Sequence, residues 1–414
     1  MKKTLYFLSE IEYREYLQTL LLACEVQSNS EVYIMQFKQL KRYYKLLKPG
    51  LIFLNNASFL KRELIFDMYD KGYRFVLHHA ESYATYNTWF PPHMFYDHKV
   101  LDIMEYILCI GKKQKNLLSK FHPKIKKKIL VTGDIKYYLL NKKYCFFLDE
   151  QKKIIKKKFK KKFILFPSNF SFVSWKIANN DTLNYDPKMD KYSKYNKQKF
   201  LDWKKYEIQR NKHEKLCVES YINVIKVISK YFRDIDIVVR PHPADHPFFW
   251  KNKFKQNNIF IEYSYDIKSW ISLCEFSLSF ACSSVIENYF SKKKSLCYFP
   301  YYKKEFDKKF YYNLSLNSKS LKKLINDIKT TLKNKKRPKR VLDKEYIYHN
   351  ENEFIIKKYN FLNKIKIERM LNSKIIELLI YASEYLRYFL LKMNRNEFAK
   401  DKKKWTNNHN NEYY

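Results

Sequence analysis

The stretch IDIVVRPHP at residues 235–243 decides the fold of the second half of this chain. Its four β-branched residues predict a short buried strand, and its two prolines prevent that strand from continuing. Arg240 and His242 therefore emerge at the carboxyl end of the strand. In open α/β sheets ligands bind outside the carboxyl ends of the strands. A guanidinium and an imidazole at that position suit a phosphate or a carboxylate.

A second stretch, FSLSFACSSVIENYF at residues 276–290, has the same organisation. It predicts a strand followed by a helix that starts near Ser283 and Ser284, with Glu287 one turn in. Hydroxyls and free backbone N–H groups at a helix start can bind an anion. Each stretch alone also fits an ordinary strand exit or a serine N-cap. Their occurrence together in one α/β domain favours an anion site.

The first 131 residues alternate between short apolar strands and amphipathic helices with short connections. This alternation predicts a parallel, doubly wound α/β sheet, and the second half of the chain repeats it. We therefore expect two Rossmann-like domains, 1–150 and 151–345, that face a cleft. A polar segment without clear periodicity, residues 171–212, indicates an insertion or a lid. A helical tail is expected over 346–414.

Two further strand ends in the first domain carry polar groups. The strand near residue 77 is followed by HHAES at 78–82, in which His79 and Glu81 are candidate acid–base groups. A metal would need a third ligand in fixed geometry, which the sequence does not indicate, and solvated loop residues remain the alternative. The strand at 129–131 is followed by Gly133, which can present its backbone N–H or pack closely against the next helix.

The composition limits the class of partner. The net charge of +40 comes from 82 Lys and Arg against 42 Asp and Glu. Because the excess is mostly Lys spread over the chain, we expect non-specific attraction of anions and no specific nucleic-acid recognition. The seven cysteines lack paired or zinc spacing, which is typical of reduced thiols in a cytoplasmic protein. No secretory signal or 18-residue apolar stretch occurs.

The two motifs at 235–243 and 276–290 resemble the C-terminal half of bacterial surface-polysaccharide transferases with a GT-B fold. That group includes the CMP-sugar sialyl- and Kdo-transferases, with HP and Ser-Ser motifs, and the CDP-glycerol glycerophosphotransferases. The segments ILCIGKKQKNLL (107–118) and KILVTGDIKYYLL (128–140) resemble surface carbohydrate (capsule and lipopolysaccharide) biosynthesis proteins. The resemblance spans roughly residues 4–305. The chain departs from that pattern at HAES (79–82), in place of Asp-Glu-Glu-Gly, and at Asp134, which begins the segment replacing Asn-Pro-Arg.

The resemblance implies an inverting, metal-independent glycosyltransferase without a cofactor. Its donor would be a nucleotide-sugar, CMP-linked and of nonulosonic acid or Kdo type, and its acceptor a glycan or lipid-linked glycan. Glu81 would be the general base, with His79 as the alternative, and His242 would donate a hydrogen bond or a proton to the leaving phosphate. Glu287 would bind the ribose or serve only as a capping charge in the first turn of the helix, and Arg240 would pair with the phosphate or brace the strand exit. The donor nucleotide and phosphate would be bound by Arg240, His242, Ser283, Ser284, Glu287 and Gly133.

Two other functions, and two placements of the C-terminal tail, fit the same sequence. The chain could transfer a polyol phosphate from a CDP-glycerol-type donor, or it could be a non-enzymatic scaffold at the inner face of the plasma membrane. The apolar stripe of the tail, flanked by Lys and Arg, either packs back on the body or contacts that membrane peripherally. Asp234 and Asp236 have the spacing of a metal-binding Asp-x-Asp pair. They lie where the strand begins, at the sheet edge opposite the expected ligand site, so we expect them to form a solvated turn.

Overall fold

The fold is seen in a computed structural model. It describes residues 2–55, 57, 61–78, 97–178, 197–280, 282–303, 305–306, 309–334, 347, 349 and 362. Within these ranges the chain forms two parallel sheets of six strands each, with helices packed on their faces. The predicted α/β class with two doubly wound sheets is therefore confirmed.

The strands of the first sheet are β1 (Lys3–Leu8), β2 (Ser30–Met35), β3 (Leu51–Leu54), β4 (Arg74–His78), β5 (Met104–Cys109) and β6 (Ile129–Val131). Their order is β2-β1-β3-β4-β5-β6. After β1 the chain first forms the edge strand β2, and it then returns to form β3 on the other side of β1. The inner strands β1, β3 and β4 are largely apolar and buried, as expected for a parallel sheet covered on both faces, whereas the edge strand β2 is only partly buried.

Five α-helices connect these strands. They are α1 (Leu17–Val26), α2 (Phe37–Tyr43), α3 (Arg62–Asp70), α4 (His98–Asp102) and α5 (Lys112–Phe121). A π-helical turn at Glu12–Tyr16 precedes α1, and 3-10 helices occupy Pro123–Lys128, Ile135–Leu140 and Cys145–Leu148. After α3 the chain turns at Gly72, whose φ of 88° explains why the sequence has glycine there, as predicted.

The strand order of the second sheet changes direction at the fourth position of the sheet, while all of its strands run parallel. Its strands are β7 (Phe163–Pro167), β8 (Asp236–Arg240), β9 (Ile259–Ile261), β10 (Phe276–Ser279), β11 (Lys294–Tyr298) and β12 (Leu316–Ser318), and their order is β12-β11-β10-β7-β8-β9. Its helices are α6 (Asp149–Lys158), α7 (Ser171–Ala178), α8 (Lys197–Tyr231), α9 (Ile267–Leu273), α10 (Ser284–Phe290), α11 (Lys309–Asn313) and α12 (Leu321–Lys333). Because β7 pairs with both β8 and β10, it marks the topological switch point of this sheet.

Of residues 171–212, interpreted as an insertion or a lid, the structure describes 171–178 and 197–212. Residues 171–178 form α7, and residues 197–212 form the first part of α8, so both described stretches are helical. The C-terminal part of α8 packs Tyr221 and its apolar neighbours into the core of the second sheet. The earlier part has few apolar residues; there Arg210 pairs with Glu207 and Glu214 at helical spacing. Residues 179–196 lie outside the described ranges.

The two halves of the chain contact each other through a small apolar cluster. It consists of Ile110, Tyr137, Val285, Ile286, Tyr311, Leu314 and Ile347. The ring of Tyr137, from the first half, lies 4.6 Å from that of Phe290 in the second. Leu362 packs into the core of the first sheet, and Lys3 donates a hydrogen bond to its carbonyl. The chain therefore returns to its first half, and apart from residues 347, 349 and 362 the predicted tail lies outside the described residues.

The domain boundaries placed at residues 150 and 345 stay predictions. The first sheet ends at Val131 and the second begins at Phe163, and α6 between them packs against α9 of the second half through Ile155 and Trp270. Over the described ranges, none of the helices has both the length and the apolarity that a membrane span requires.

Candidate active site

The turn that follows β8 is built around Asp245, a residue that the sequence analysis did not select. One carboxylate oxygen of Asp245 accepts hydrogen bonds from Ser168 Oγ at 2.6 Å, Trp250 Nε1 at 2.8 Å and the backbone N–H of His242 at 3.2 Å. Burial raises the pKa of Asp245. The signal available in the sequence was an acidic residue three positions after His242, in a stretch that ends in a buried tryptophan.

The imidazole of His242 is half-buried at the end of this turn. Its Nδ1 accepts a hydrogen bond from the backbone N–H of Ala244 at 3.2 Å and lies 3.0 Å from the hydroxyl of Ser171 at the start of α7. The first residue of α7 therefore contacts the histidine of the RPHP stretch directly.

Arg240 lies deeper, with only 4% of its surface exposed. Its guanidinium donates hydrogen bonds to the carbonyl oxygens of Tyr265 at 2.6 Å and Glu262 at 3.2 Å. Burial lowers the pKa of Arg240 to about 10, and the nearby carboxylates of Asp266 and Glu262 oppose that effect. These contacts brace the loop after β9. A contact of Arg240 with a donor phosphate stays a prediction.

The Ser-Ser pair lies where α10 begins, as predicted. Ser283 occupies the N-cap position without a side-chain capping bond, and Ser284 is the first residue of the helix. Ser284 is buried, and apart from an interaction with the weakly polar thiol of Cys282 its hydroxyl oxygen has no hydrogen-bond partner in the part of the chain that the structure describes. A buried hydroxyl without a partner is costly in a folded protein, which makes it a candidate ligand-binding group.

Glu287, on the same helix, faces the first half of the chain. Its side chain is buried, and its Oε2 also lacks a partner among the described residues. Burial raises the pKa of Glu287, and the positive charges of Lys136 and Lys268 partly offset this, while Asp134 reinforces it. Lys136 and Asp134 belong to the loop after β6, so this loop and α10 lie close together.

The backbone conformation of the loop after β6 explains why this loop contains a glycine. Gly133 has a φ of 75°, and its N–H donates to the carbonyl of Cys109 at 3.2 Å, continuing the pairing of β5 with β6. Its predicted part in donor binding is not tested. Asp134 caps the following 3-10 helix and lies 3.2 Å from Lys136 Nζ. Burial opposes ionisation of Asp134, but Lys136 and His78 together keep its pKa below the ordinary value.

A cavity of about 30 Å³ opens at the carboxyl edge of the first sheet, between the strand ends and α1. Its polar lining includes Glu15 from the π-helical turn, Gln18 from α1 and His78 at the end of β4. Gln18 Oε1 and His78 Nε2 are buried without a hydrogen-bond partner in the described ranges. Burial lowers the pKa of His78, partly offset by Asp134. The predicted bases His79 and Glu81 lie outside the described residues.

The topology brings the two predicted phosphate motifs to one sheet edge. Strands β8 and β10 both pair with β7, so His242 and Ser283 follow strands on either side of the switch point. Convergence of their side chains on one pocket stays a prediction. Asp236 begins β8 at the opposite edge; it is buried and not solvated as expected, because it continues the sheet next to Phe163. The described residues contain no cluster of three or more potential metal ligands.

No family model matches the sequence, and no curated protein resembles it significantly. Among solved structures, the Methanocaldococcus jannaschii UDP-GlcNAc 2-epimerase in complex with UDP-GlcNAc and UDP covers 87% of this chain and 100% of its own, with a TM-score of 0.55 and 12% identity. The chain has a GT-B fold. A second UDP-N-acetylglucosamine 2-epimerase gives a TM-score of 0.52 at 11% identity, with 90% and 100% coverage.

The wall teichoic acid polymerase TagF, as its H548A variant, is also similar, with 10% identity and coverage of 95% of this chain and 90% of that one. Its TM-score is 0.48. At 11–12% identity, the similarity to the two epimerases shows the GT-B fold alone.

Proposed function

We propose that this chain is an inverting GT-B glycosyltransferase of bacterial surface-polysaccharide biosynthesis. The donor is a nucleotide-sugar, CMP-linked and of nonulosonic acid or Kdo type, and the acceptor is a glycan or lipid-linked glycan. The observation that carries the proposal is the switch point at β7, where the ends of β8 and β10 place an imidazole and a buried, unpaired serine hydroxyl at one edge of a parallel sheet. Ligands of open α/β sheets bind at such a point.

The donor phosphate is assigned to His242, Ser283 and Ser284. In this proposal the ligand supplies the partner that Ser284 Oγ lacks, and Glu287 Oε2 accepts a hydrogen bond from a ribose hydroxyl. Arg240 supports the site from behind through its bonds to backbone carbonyls. The charge of the leaving phosphate is stabilised by hydrogen-bond donors, and the proposal includes no metal and no cofactor.

The acceptor hydroxyl approaches from the first half of the chain. Glu81 and His79 remain the proposed bases, and His78 joins them because its lowered pKa keeps the imidazole neutral and able to accept a proton at pH 7. Lys136 and Asp134 lie between the two halves of the site and contribute charge near Glu287. The proposed reaction takes place in the cytoplasm. The tail is proposed to contact the inner membrane peripherally.

Thermal shift tests the donor class directly, because a ligand that binds only the folded state raises the melting temperature. We expect CMP to stabilise the chain more than UMP or UDP-GlcNAc does, at both low and moderate salt, because a net charge of +40 attracts any polyanion at low salt. His242→Ala should abolish the CMP shift, whereas His98→Ala, at an exposed histidine of the first half, should preserve it. An unchanged shift in His242→Ala would contradict the proposal.

Donor turnover separates the remaining alternatives. If the chain releases CMP from CDP-glycerol and forms a polyol-phosphate product, its donor is of the CDP-glycerol type and not a nucleotide-sugar. The proposed nucleotide site would be unaffected by that result. Absence of any nucleotide shift, together with binding to anionic vesicles that is lost on removal of residues 354–414, would support the scaffold instead.

A further inference from the structure

The hydrogen bonds around His242 determine which of its ring nitrogens carries the proton. The backbone N–H of Ala244 points at Nδ1 over 3.2 Å, and a backbone N–H can only donate. Nδ1 must therefore offer its lone pair, so the proton of the neutral ring lies on Nε2. Ser171 Oγ lies 3.0 Å from the same nitrogen and can donate to it when its single proton is not directed at the carboxylate of Asp245.

Helix α7 keeps this loop in place from one side. Trp175 Nε1 donates to the carbonyl of Ala244 at 3.0 Å, and the hydroxyl of Ser174 accepts the N–H of His246 at 2.9 Å. The carbonyl group of Ala244 belongs to the peptide unit that follows the N–H facing Nδ1, so α7 fixes the loop directly after that N–H.

Asp245 fixes the loop from the other side. Its three hydrogen bonds join the backbone of His242 to Ser168 after β7 and to Trp250 in the core. Its own N–H donates back to the carbonyl of His242 at 2.8 Å, which closes a tight turn. This turn places the N–H of Ala244 beneath the imidazole. The carboxylate of Asp245 also interacts with the hydroxyl of Ser171, which lies 3.0 Å from Nδ1 of the ring.

We propose that His242 is fixed as the neutral Nε2–H tautomer, that it donates a hydrogen bond and not a proton to the ligand phosphate, and that Asp245 and Ser171 are the residues that position it. The tautomer follows from the geometry alone, whereas its use on a phosphate rests on the proposed function. A neutral imidazole that donates a hydrogen bond is an established device for stabilising developing negative charge.

The transfer of the sugar requires no proton from His242. The bond between the sugar carbon and the phosphate oxygen breaks, and both of its electrons stay on that oxygen. A bond forms from the acceptor oxygen to the same carbon, and the acceptor proton goes to the base in the first half. The departing monoester phosphate has its second pKa near 6, so it leaves largely as a dianion at pH 7 and needs hydrogen-bond donors more than an acid.

Nitrogen-15 NMR of the full-length chain tests the tautomer. Long-range proton–nitrogen correlations of the histidine rings, recorded at pH 8, distinguish the Nε2–H from the Nδ1–H form, and the His242 signals are those lost in His242→Gln. We expect the Nε2–H form in the unaltered chain. In Asp245→Ala we expect a mixture of tautomers and an affinity for CMP at least tenfold lower. Asp236→Ala, which removes a buried aspartate at the other end of β8, should change neither.

Three milder variants cover the case in which Asp245→Ala does not fold. Asp245→Asn keeps an acceptor oxygen for all three donors, so it should retain the tautomer and the affinity. Ser171→Ala removes only one of the two donors to Nδ1 and should shift the tautomer less than Asp245→Ala. His242→Gln keeps an N–H donor, so it should bind CMP better than His242→Ala if hydrogen bonding is the role.

An Nδ1–H ring in the unaltered chain, or a tautomer that Asp245→Ala leaves unchanged, would overturn the inference even if CMP binds. Equal loss of CMP affinity in His242→Gln and His242→Ala would overturn the hydrogen-bond role. An Nε2–H ring in a chain that binds no nucleotide would instead overturn the proposed function, together with the role on phosphate.

Discussion

Ser284 carries the sharpest residue-scale prediction, because apart from the weakly polar thiol of Cys282 its buried hydroxyl has no partner among the described residues. Replacing it by alanine removes an unsatisfied polar group, so Ser284→Ala should leave the free energy of unfolding unchanged or slightly higher. The same change should lower the affinity for CMP by about tenfold, the typical loss for one hydrogen bond to a charged group. Ser277→Ala is the matched control, since Ser277 Oγ is equally buried and unpaired but lies at the start of β10. A lower CMP affinity in both variants would contradict the assignment.

Replacing Arg240 should mainly lower the stability of the fold, whereas replacing Ser284 should mainly lower the affinity for CMP. Its guanidinium donates to two loop carbonyls, so Arg240→Met should leave those carbonyls unpaired and cost about 3 kcal/mol of unfolding free energy. Urea denaturation measures this loss. The affinity of the remaining folded protein for CMP should fall less than in His242→Ala. A stability close to that of the unaltered chain would show that the guanidinium points at a ligand and not at the loop.

At the scale of elements, α8 joins β7, the strand at the switch point, to its neighbour β10. The hydroxyl of Tyr221 donates to the carbonyls of Pro167 at 3.1 Å and Leu278 at 2.9 Å, which lie near the ends of β7 and β10. Tyr221→Phe should therefore cost about 1–2 kcal/mol and weaken CMP binding, because the two strand ends separate. Tyr73→Phe removes a hydroxyl that also donates to two carbonyls, in the first half. It should cost similar stability with no effect on CMP.

Gly50 provides a second prediction at this scale. A Cβ at Gly50 would lie 2.6 Å from the backbone oxygen of Thr4, where β1 and β3 pair side by side. Because the obstructing atom belongs to the backbone of a buried strand, Gly50→Ala should cost about 2 kcal/mol or more. Thermal unfolding measures the loss. A variant as stable as the unaltered chain would show that the two strands can separate without cost.

At the scale of the whole molecule, Glu287 lies where the two halves of the chain face each other. Burial raises its folded-state pKa above the unfolded value of about 4.5, so the folded chain binds more protons than the unfolded one over that interval. Its contribution favours the folded state at low pH and is lost as the pH rises through the folded pKa. Glu287→Gln should therefore be more stable than the unaltered chain at pH 8, with a difference that disappears toward pH 4. A constant difference across this range would contradict the assignment.

Much of the architecture was available in the pattern of apolar residues. The strand at 235–240 and the helix start at Ser284 were predicted within a residue or two, because β-branched runs, prolines and serine N-caps act through local sterics and hydrogen bonds. The early start of α8 was missed, since it depends on ion pairs around Arg210 and not on an apolar stripe. Asp245 was missed because one acidic residue in a loop has no periodic signature.

The amino-acid sequence alone determined that the chain forms two parallel α/β sheets and that polar groups follow particular strands, because side-chain periodicity and chain stiffness are local properties. The tertiary structure decided that β7 lies between β8 and β10, that Glu287 faces Lys136, and that Asp245 accepts hydrogen bonds from Ser168, Trp250 and the backbone of His242. These facts depend on strand order and on contacts between residues far apart in the chain, which arise only when burial of both sheets selects one packing.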